Sequence, residues 1–156
     1  MDTPKTNKTV DKFNKKFQSV LKQNLNGHTA SGSLQKSIKV TDETSKKGIK
    51  IYLDMEEYGV NVDEGRKPGK GMPVENLKRW IVQKGLKFES AGNSKLSTTQ
   101  KVNSLAFLIN RKIKNEGIDA TKFIDNALDR LLPTFIKDVT KSLSADMLDD
   151  FLKDID

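Results

Sequence analysis

Asp63 and Glu64 are neighbouring carboxylates, His28 is the single imidazole of the chain, and Arg66, Lys67, Pro68, Gly69, Lys70 and Gly71 form its densest basic stretch. Two carboxylates can divide acid and base work only when both reach one substrate, and adjacent side chains point apart on a strand or a helix. His28 stands in a stretch flanked by Gly and Ser. It lacks the neighbouring His or Cys ligands of a zinc site and the oriented base of a nucleophilic triad. The basic stretch invites comparison with the phosphate loop G-x-x-x-x-G-K-[ST], whose amides cradle phosphates and whose hydroxyl holds magnesium. Here Gly65 and Gly69 enclose three residues, Pro68 has no amide hydrogen, and Gly71 stands where Ser or Thr is needed. The chemistry available is therefore recognition by charge, and neither catalysis nor a cofactor nor a metal is expected.

The elements around that loop must position it. Tyr58, Val60 and Val62 run into Asp63, Glu64 and Gly65; their alternation allows a strand, while Tyr58 and Val62 also fit one helical turn stopped by Gly65. Beyond the loop, Pro73 opens an amphipathic helix over residues 73–84 that Gly85 closes, the usual placement of Pro inside a helix start and Gly past its end. Val74, Leu77 and Ile81 share its apolar stripe with Trp80, the only tryptophan, which is expected to anchor the helix in the core.

Before the loop, Val10, Phe13, Phe17, Val20, Leu21 and Leu25 recur at helical steps and predict a helix over residues 8–24 with lysines on its outer face. Leu34, Ile38 and Val40 predict a strand over residues 34–41, residues 42–48 a polar hairpin connection, and Ile49, Ile51 and Leu53 a half-buried antiparallel strand. After the loop, residues 87–97 are rich in Ser, Gly, Asn and Lys and read as a mobile loop. Thr98 or Thr99 should cap a helix ending at Gly117, with Val102, Leu105, Ala106, Ile109 and Ile113 inside. Another helix should start at Asp119 or Thr121, be kinked or split by Pro133, and give way to a new one at Ser144. The fold expected is α+β: a small antiparallel sheet of two to four strands, an N-terminal amphipathic helix packed on it, and a helical C-terminal half. Residues 1–143 form the main domain and residues 144–156 an acidic amphipathic terminal helix. Met147, Leu148, Phe151 and Leu152 give that helix an apolar stripe, which makes it either the last core helix or a docking element.

Composition sets the outer limits. The 156 residues suit one domain with an appendage, and a hydrophobic content of 35% against 31% charged describes a lean core. Such a chain can complete its burial in an assembly. The formal net charge of +7 favours acidic partners or nucleic acid. Cysteine is absent, which excludes disulfides and thiolate metal sites and fits synthesis in a reducing cytoplasm. No apolar run approaches the ~20 residues that span a bilayer, and MDTPKTNKTV has no signal-peptide core, so no membrane partner is expected.

The order of motifs resembles the tailed-bacteriophage head–tail connector and tail-completion (neck) protein family. Ser31-Gly32-Ser33-Leu34-Gln35-Lys36-Ser37-Ile38 matches its T-G-x-L-x-x-S-I segment, and Tyr58-Gly59 leading to Glu64-Gly65 is similar to Y-A-x-x-V-E-x-G. Residues 65–73, with Trp80 in the helix that follows, resemble the G-R-x-P-G-K-x-P-P subgroup. Its later L-A-F-x-I-x-R-K-I-x-x-x-G-I segment is matched by Leu105-Ala106-Phe107-Leu108-Ile109-Asn110-Arg111-Lys112-Ile113 ending at Gly117-Ile118. Ser31 replaces Thr, Gly59 replaces Ala, Gly71-Met72 occupies the place of a second proline, and the tail after Ser144 has no counterpart.

The resemblance implies a structural virion protein without enzymatic activity, made in the host bacterial cytoplasm. Its place would be a homo-oligomeric neck ring, twelve- or six-fold, between the portal and other neck or tail proteins, with genomic DNA crossing the channel. The basic loop would then be an assembly element, ordered when a neighbouring subunit or DNA meets it. A basic nucleic-acid-binding protein is the alternative, supported by charge and opposed by the lack of a readout motif. A small enzyme resting on Asp63, Glu64 and His28 is the weakest reading.

Overall fold

A computed structural model describes residues 3–28, 32–45, 48–87 and 96–153. Among them are six helices and one two-stranded antiparallel sheet, the α+β class with a helical C-terminal half that the patterning predicts. The chain divides into two compact units. The first comprises Met1–Asn26, Ser33–Glu56 and Lys122–Asp156; the second comprises Gly27–Gly32 and Glu57–Thr121.

The first unit is built on two long helices, α1 (Pro4–Asn24) and α6 (Phe123–Lys153). Val10, Phe13, Phe17, Val20 and Leu21 bury one face of α1, and Phe123, Ala127 and Leu131 are buried on α6. Phe13 stacks on Phe17 with centroids 5.5 Å apart and on Phe135 at 4.1 Å. The helices run antiparallel: Asn24 near the end of α1 donates to the Phe123 carbonyl at 3.1 Å, and Lys5 near its start pairs with Asp149 at 2.7 Å.

The start of α1 explains why the acidic tail folds back. Pro4 needs no acceptor and Thr3 makes no side-chain cap, so the next two amides depend on groups from elsewhere. Asp146 supplies both, accepting the Lys5 amide at 3.1 Å on one oxygen and the Thr6 amide at 2.8 Å on the other. The Thr6 hydroxyl adds a third donor at 2.7 Å. Burial alone would raise the Asp146 carboxyl above the ordinary range. The Thr6 hydroxyl, the Thr6 and Lys5 amides and the Lys5 charge outweigh it and hold the group below that range.

Four expectations are corrected in this unit. Residues 34–41 are not one strand: Leu34 and Ile38 lie four apart, are fully buried, and share a helical turn, α2 (Ser33–Ser37), closed by the Ile38 amide on the Leu34 carbonyl. The first strand, β1 (Lys39–Ser45), begins later and takes in residues 42–45, which the sequence assigned to a connection. It pairs in register with β2 (Gly48–Asp54), from Lys39 opposite Asp54 to Ser45 opposite Gly48. Pro133 does not split α6, which runs unbroken through it; the residue is exposed, and Leu131 and Phe135 on either side hold the helix on α1. Ser144 opens no new helix, because its hydroxyl donates back to the Thr140 carbonyl at 3.0 Å in the middle of α6.

The second unit contains α3 (Tyr58–Glu64), α4 (Val74–Lys84) and α5 (Thr98–Glu116). Tyr58–Glu64 is thus helical, the second of the two readings its pattern allowed. Leu77 and Ile81 of α4 pack on Ala106 and Ile113 of α5, with Met72, Val102, Leu105 and Ile109 around them. A capping box opens α5, but its residue is Ser97 and not Thr98 or Thr99. The Ser97 hydroxyl accepts the Gln100 amide at 3.3 Å, and the Ser97 amide donates to the Gln100 side chain at 2.9 Å. The following helix starts at Phe123, later than Asp119 or Thr121. Of the expected mobile loop at 87–97, residues 88–95 lie outside the described residues.

Candidate assembly site

The basic loop leaves α3 at Gly65 and enters α4 at Pro73, and the structure clasps it along the end of α5. The Arg66 amide donates to the Ile118 carbonyl at 2.8 Å, and the Ile118 amide returns a bond to the Arg66 carbonyl at 2.7 Å, a single antiparallel bridge. Further along, the Gly69 amide caps the Lys114 carbonyl at 2.9 Å. The Met72 amide donates to Asn110 Oδ1 at 2.9 Å. On the other side of the bridge, the Thr121 hydroxyl donates to the Val62 carbonyl at 2.8 Å. The last carbonyls of a helix need donors, and the loop provides one of them from its own backbone.

Glycine is required at two of these positions. Gly65 has φ +75°, and a Cβ there would stand 2.5 Å from the Ile118 carbonyl oxygen and 2.7 Å from the Ala120 amide. Gly117 has φ +85°, and its Cβ would collide with the Arg66 carbonyl. Both lie in the left-handed half of conformational space, and both let two backbones approach. The expectation of a loop ordered only by a neighbour is corrected to this extent: its backbone at Arg66, Gly69 and Met72 is bonded within the chain. Its side chains are another matter, since Lys67, Pro68 and Lys70 are exposed and Arg66 and Gly71 half-buried. The clasp therefore presents cations at the carbonyl end of α5, where the helix dipole favours positive charge.

Trp80 does not anchor α4. Leu77 and Ile81 are 3% and 1% exposed, whereas Trp80 is 38% exposed and Val74 41%. The helix is stopped as expected: Gly85 is left-handed at φ +63°, its amide reaches the Val82 carbonyl and the Leu86 amide the Ile81 carbonyl, both at 3.1 Å. On α5, Phe107 is 65% exposed and Leu108 46%.

The remaining candidates do not assemble into a reactive centre. Asp63 is buried and Glu64 exposed on α3, so the pair diverges, and His28 is exposed. Among the described residues there is no group of three potential metal ligands, and no helix is long and apolar enough to cross a membrane. A hollow of about 290 Å³ beside the start of α5 is lined by Ile81, Leu86, Lys87, Thr98, Lys101, Val102 and Leu105, a set without a carboxylate or an imidazole. The stripe of Met147, Leu148, Phe151 and Leu152 is exposed along the last turns of α6. The loop is legible in the sequence, whereas the roles of Asn110 and Ile118, which receive it, and of Asp146, which caps α1, appear only in the fold. No family model, no curated protein and no solved structure matches the chain.

Proposed function

We propose that this chain is a structural virion protein of a tailed bacteriophage, a subunit of the neck ring that joins portal to tail. The observation that carries the reading is the clasp. The two stretches on which the family resemblance rests most, residues 65–73 and residues 105–118, are far apart in sequence, and in the fold they are bonded to each other through Arg66 with Ile118, Gly69 with Lys114, and Met72 with Asn110. Motif residues that hold one another are a single structural device, and this one displays cations and supports neither catalysis nor a metal.

A ring subunit must leave apolar surface for its neighbours, and Trp80, Phe107 and Leu108 in one unit and Leu148 and Phe151 in the other remain exposed. Burial completed between chains stabilises such a protein in the assembled state. Isolated protein is expected to be monomeric or weakly associated, and the closed ring of cyclic symmetry to form in the particle. Genomic DNA passing through the ring and the exposed lysines of the clasp are compatible in charge.

The test is to image particles carrying this protein with an epitope appended to residue 156. Label confined to the junction of head and tail supports the reading. Label on the capsid shell or tail tip, or protein absent from finished particles, removes it. Salt-sensitive, tight binding of the free protein to duplex DNA, without incorporation into particles, would favour the nucleic-acid-binding alternative instead.

A further inference from the structure

The charge of this chain is unevenly divided. Residues 144–156 carry five acids and one base, a net of −4, while residues 1–143 carry 27 Lys and Arg against 16 Asp and Glu, a net of +11. Of that end, residues 144–153 are also the part of α6 with the most exposed apolar surface: Met147, Leu148, Phe151 and Leu152 are 55–63% exposed. At 100° per residue these four fall on one side of the helix, with Asp150 beside one border and Asp149 beside the other. Asp146 on the opposite side is spent on α1.

A surface of matching design lies on α5. Phe107, Leu108, Arg111 and Lys112 have the same spacing, i, i+1, i+4 and i+5, and occupy the side opposite Val102, Ala106, Ile109 and Ile113, which pack on α4. All four are exposed. Lys112 makes only a loose surface pair with Glu116, at 3.7 Å. Two apolar residues are thus followed, one turn on, by two cations whose aliphatic stems cover apolar surface while their charged ends remain at the rim.

We infer that the acidic end of α6 in one copy of this chain docks on the Phe107–Leu108–Arg111–Lys112 face of α5 in the next copy. Laid against each other, the helices place the apolar stripe of the tail over Phe107, Leu108 and the stems of Arg111 and Lys112, with Asp150 at the border where the cations emerge and Asp149 reaching the other border by exchanging its exposed pair with Lys5. The occupant is a second copy because the only surfaces needed are both present on one chain and opposite in charge. The contact is heterologous, donor face to acceptor face, the kind that closes into rings when the rotation allows it. It rests on the neck-ring reading only in naming the contact such a ring would use.

The test exploits the absence of cysteine. Leu108→Cys and Leu148→Cys are prepared separately, full length, at positions too exposed to burden folding, and mixed in equal amounts with a short bismaleimide. The mixed cross-link is expected to form about tenfold faster than either homodimer, the effective concentration of a docked pair acting on one combination alone. It should fall to the random-collision rate when Leu108→Cys also carries Arg111→Glu and Lys112→Glu. Random proportions of the three products overturn the inference, as does an excess of the Leu148→Cys homodimer, which would mean tail-to-tail pairing. A mixed cross-link indifferent to the charge reversals also overturns it, and so does a predominantly intramolecular product from a chain carrying both cysteines. Because all this is read on purified protein, loss of label at the neck with the mixed cross-link intact would remove the proposed function and leave this contact standing.

Discussion

Asp146 caps a helix whose third residue, Thr6, lies 140 positions earlier, its carboxylate accepting the Thr6 amide at 2.8 Å and the Thr6 hydroxyl at 2.7 Å. Helix starts are normally capped by their own first residues. Here the cap comes from the other end of the chain, which ties the acidic segment into the first unit while its apolar stripe stays outside. Thr6→Val removes one hydroxyl donor to a charged acceptor and keeps the amide; it should cost about 1.5 kcal/mol in urea unfolding. Asp146→Ala should cost more, since the buried Thr6 amide and the half-buried Lys5 amide then lose their acceptor. An Asp146→Ala protein as stable as the parent would mean that the end of α6 does not rest on α1 in solution.

The same carboxylate gives the acid limb of the stability curve a definite sign. Asp146 is held below its ordinary 3.8 in the folded chain, by the Thr6 and Lys5 bonds working against burial. A group with a depressed folded value binds its proton more readily when unfolded, so its stabilisation is present above the unfolded value and is lost as pH falls through the folded one. Unfolding followed from about pH 6 down to about pH 2 should therefore show a loss that is shallower in Asp146→Asn. Parallel curves for the two proteins would assign the acid limb to other carboxylates.

These long-range bonds mark where the sequence stops being legible. Apolar periodicity located α1, α4 and α5, and Gly85 and Gly117 located two helix ends, because those signals are local and repeat. The capping box at Ser97 stands in the sequence as Ser-x-x-Gln, but the two threonines that follow also suit a cap by residue type. Leu34 and Ile38 were read as strand because two residues four apart cannot distinguish a helical turn from the approach to β1. The pairing of Asp146 with Thr6, and of Arg66 with Ile118, has no periodic signature: one acid among five and one amide among many are selected only by the packing. Pro133 shows the converse, a strong local rule overruled by Leu131 and Phe135 on either side of it.

Packing around α4 separates two kinds of apolar residue. Ile81 is 1% exposed in the cluster with Ala106, and Ile81→Ala should cost about 2–5 kcal/mol by transfer and cavity terms. Trp80 is 38% exposed, and Trp80→Ala should cost about 1 kcal/mol, well below a buried aromatic. Thermal unfolding of the two variants ranks them directly. Trp80→Ala as costly as Ile81→Ala would place the indole inside.

Glycine at the clasp is a sharper probe of the loop. Gly85 and Gly117 both have positive φ, but a Cβ at Gly85 meets nothing within 4 Å while one at Gly117 meets the Arg66 carbonyl. Gly85→Ala should therefore carry only the left-handed penalty of about 1–2 kcal/mol. Gly117→Ala carries that and the broken bridge to Arg66, about 3 kcal/mol or more. Amide exchange at Arg66 and Ile118 should accelerate in Gly117→Ala and stay slow in Gly85→Ala. Equal costs, with unchanged exchange, would show that the bridge does not hold the loop.

The charge of the loop then separates protein contacts from DNA contacts. Arg66 is held to Ile118 through its backbone and Lys70 is exposed, so Arg66→Glu with Lys70→Glu should leave the backbone bonds of the clasp in place and cost about 1–2 kcal/mol, from negative charge at the carbonyl end of α5. If, in the proposed neck ring, these cations meet carboxylates of a neighbouring subunit or the portal, the double variant should leave filled heads unjoined to tails while the purified chain stays folded. If they face DNA in the channel, joined particles should form and the defect should appear in genome retention or ejection. The first outcome is the expected one. Arg suits paired, bidentate contacts with carboxylates, and Pro68 together with the Gly69 and Met72 bonds presents the loop in one shape, which a protein partner can match and a sliding duplex does not need. Infectious particles at parental yield from the double variant would defeat both roles for the loop.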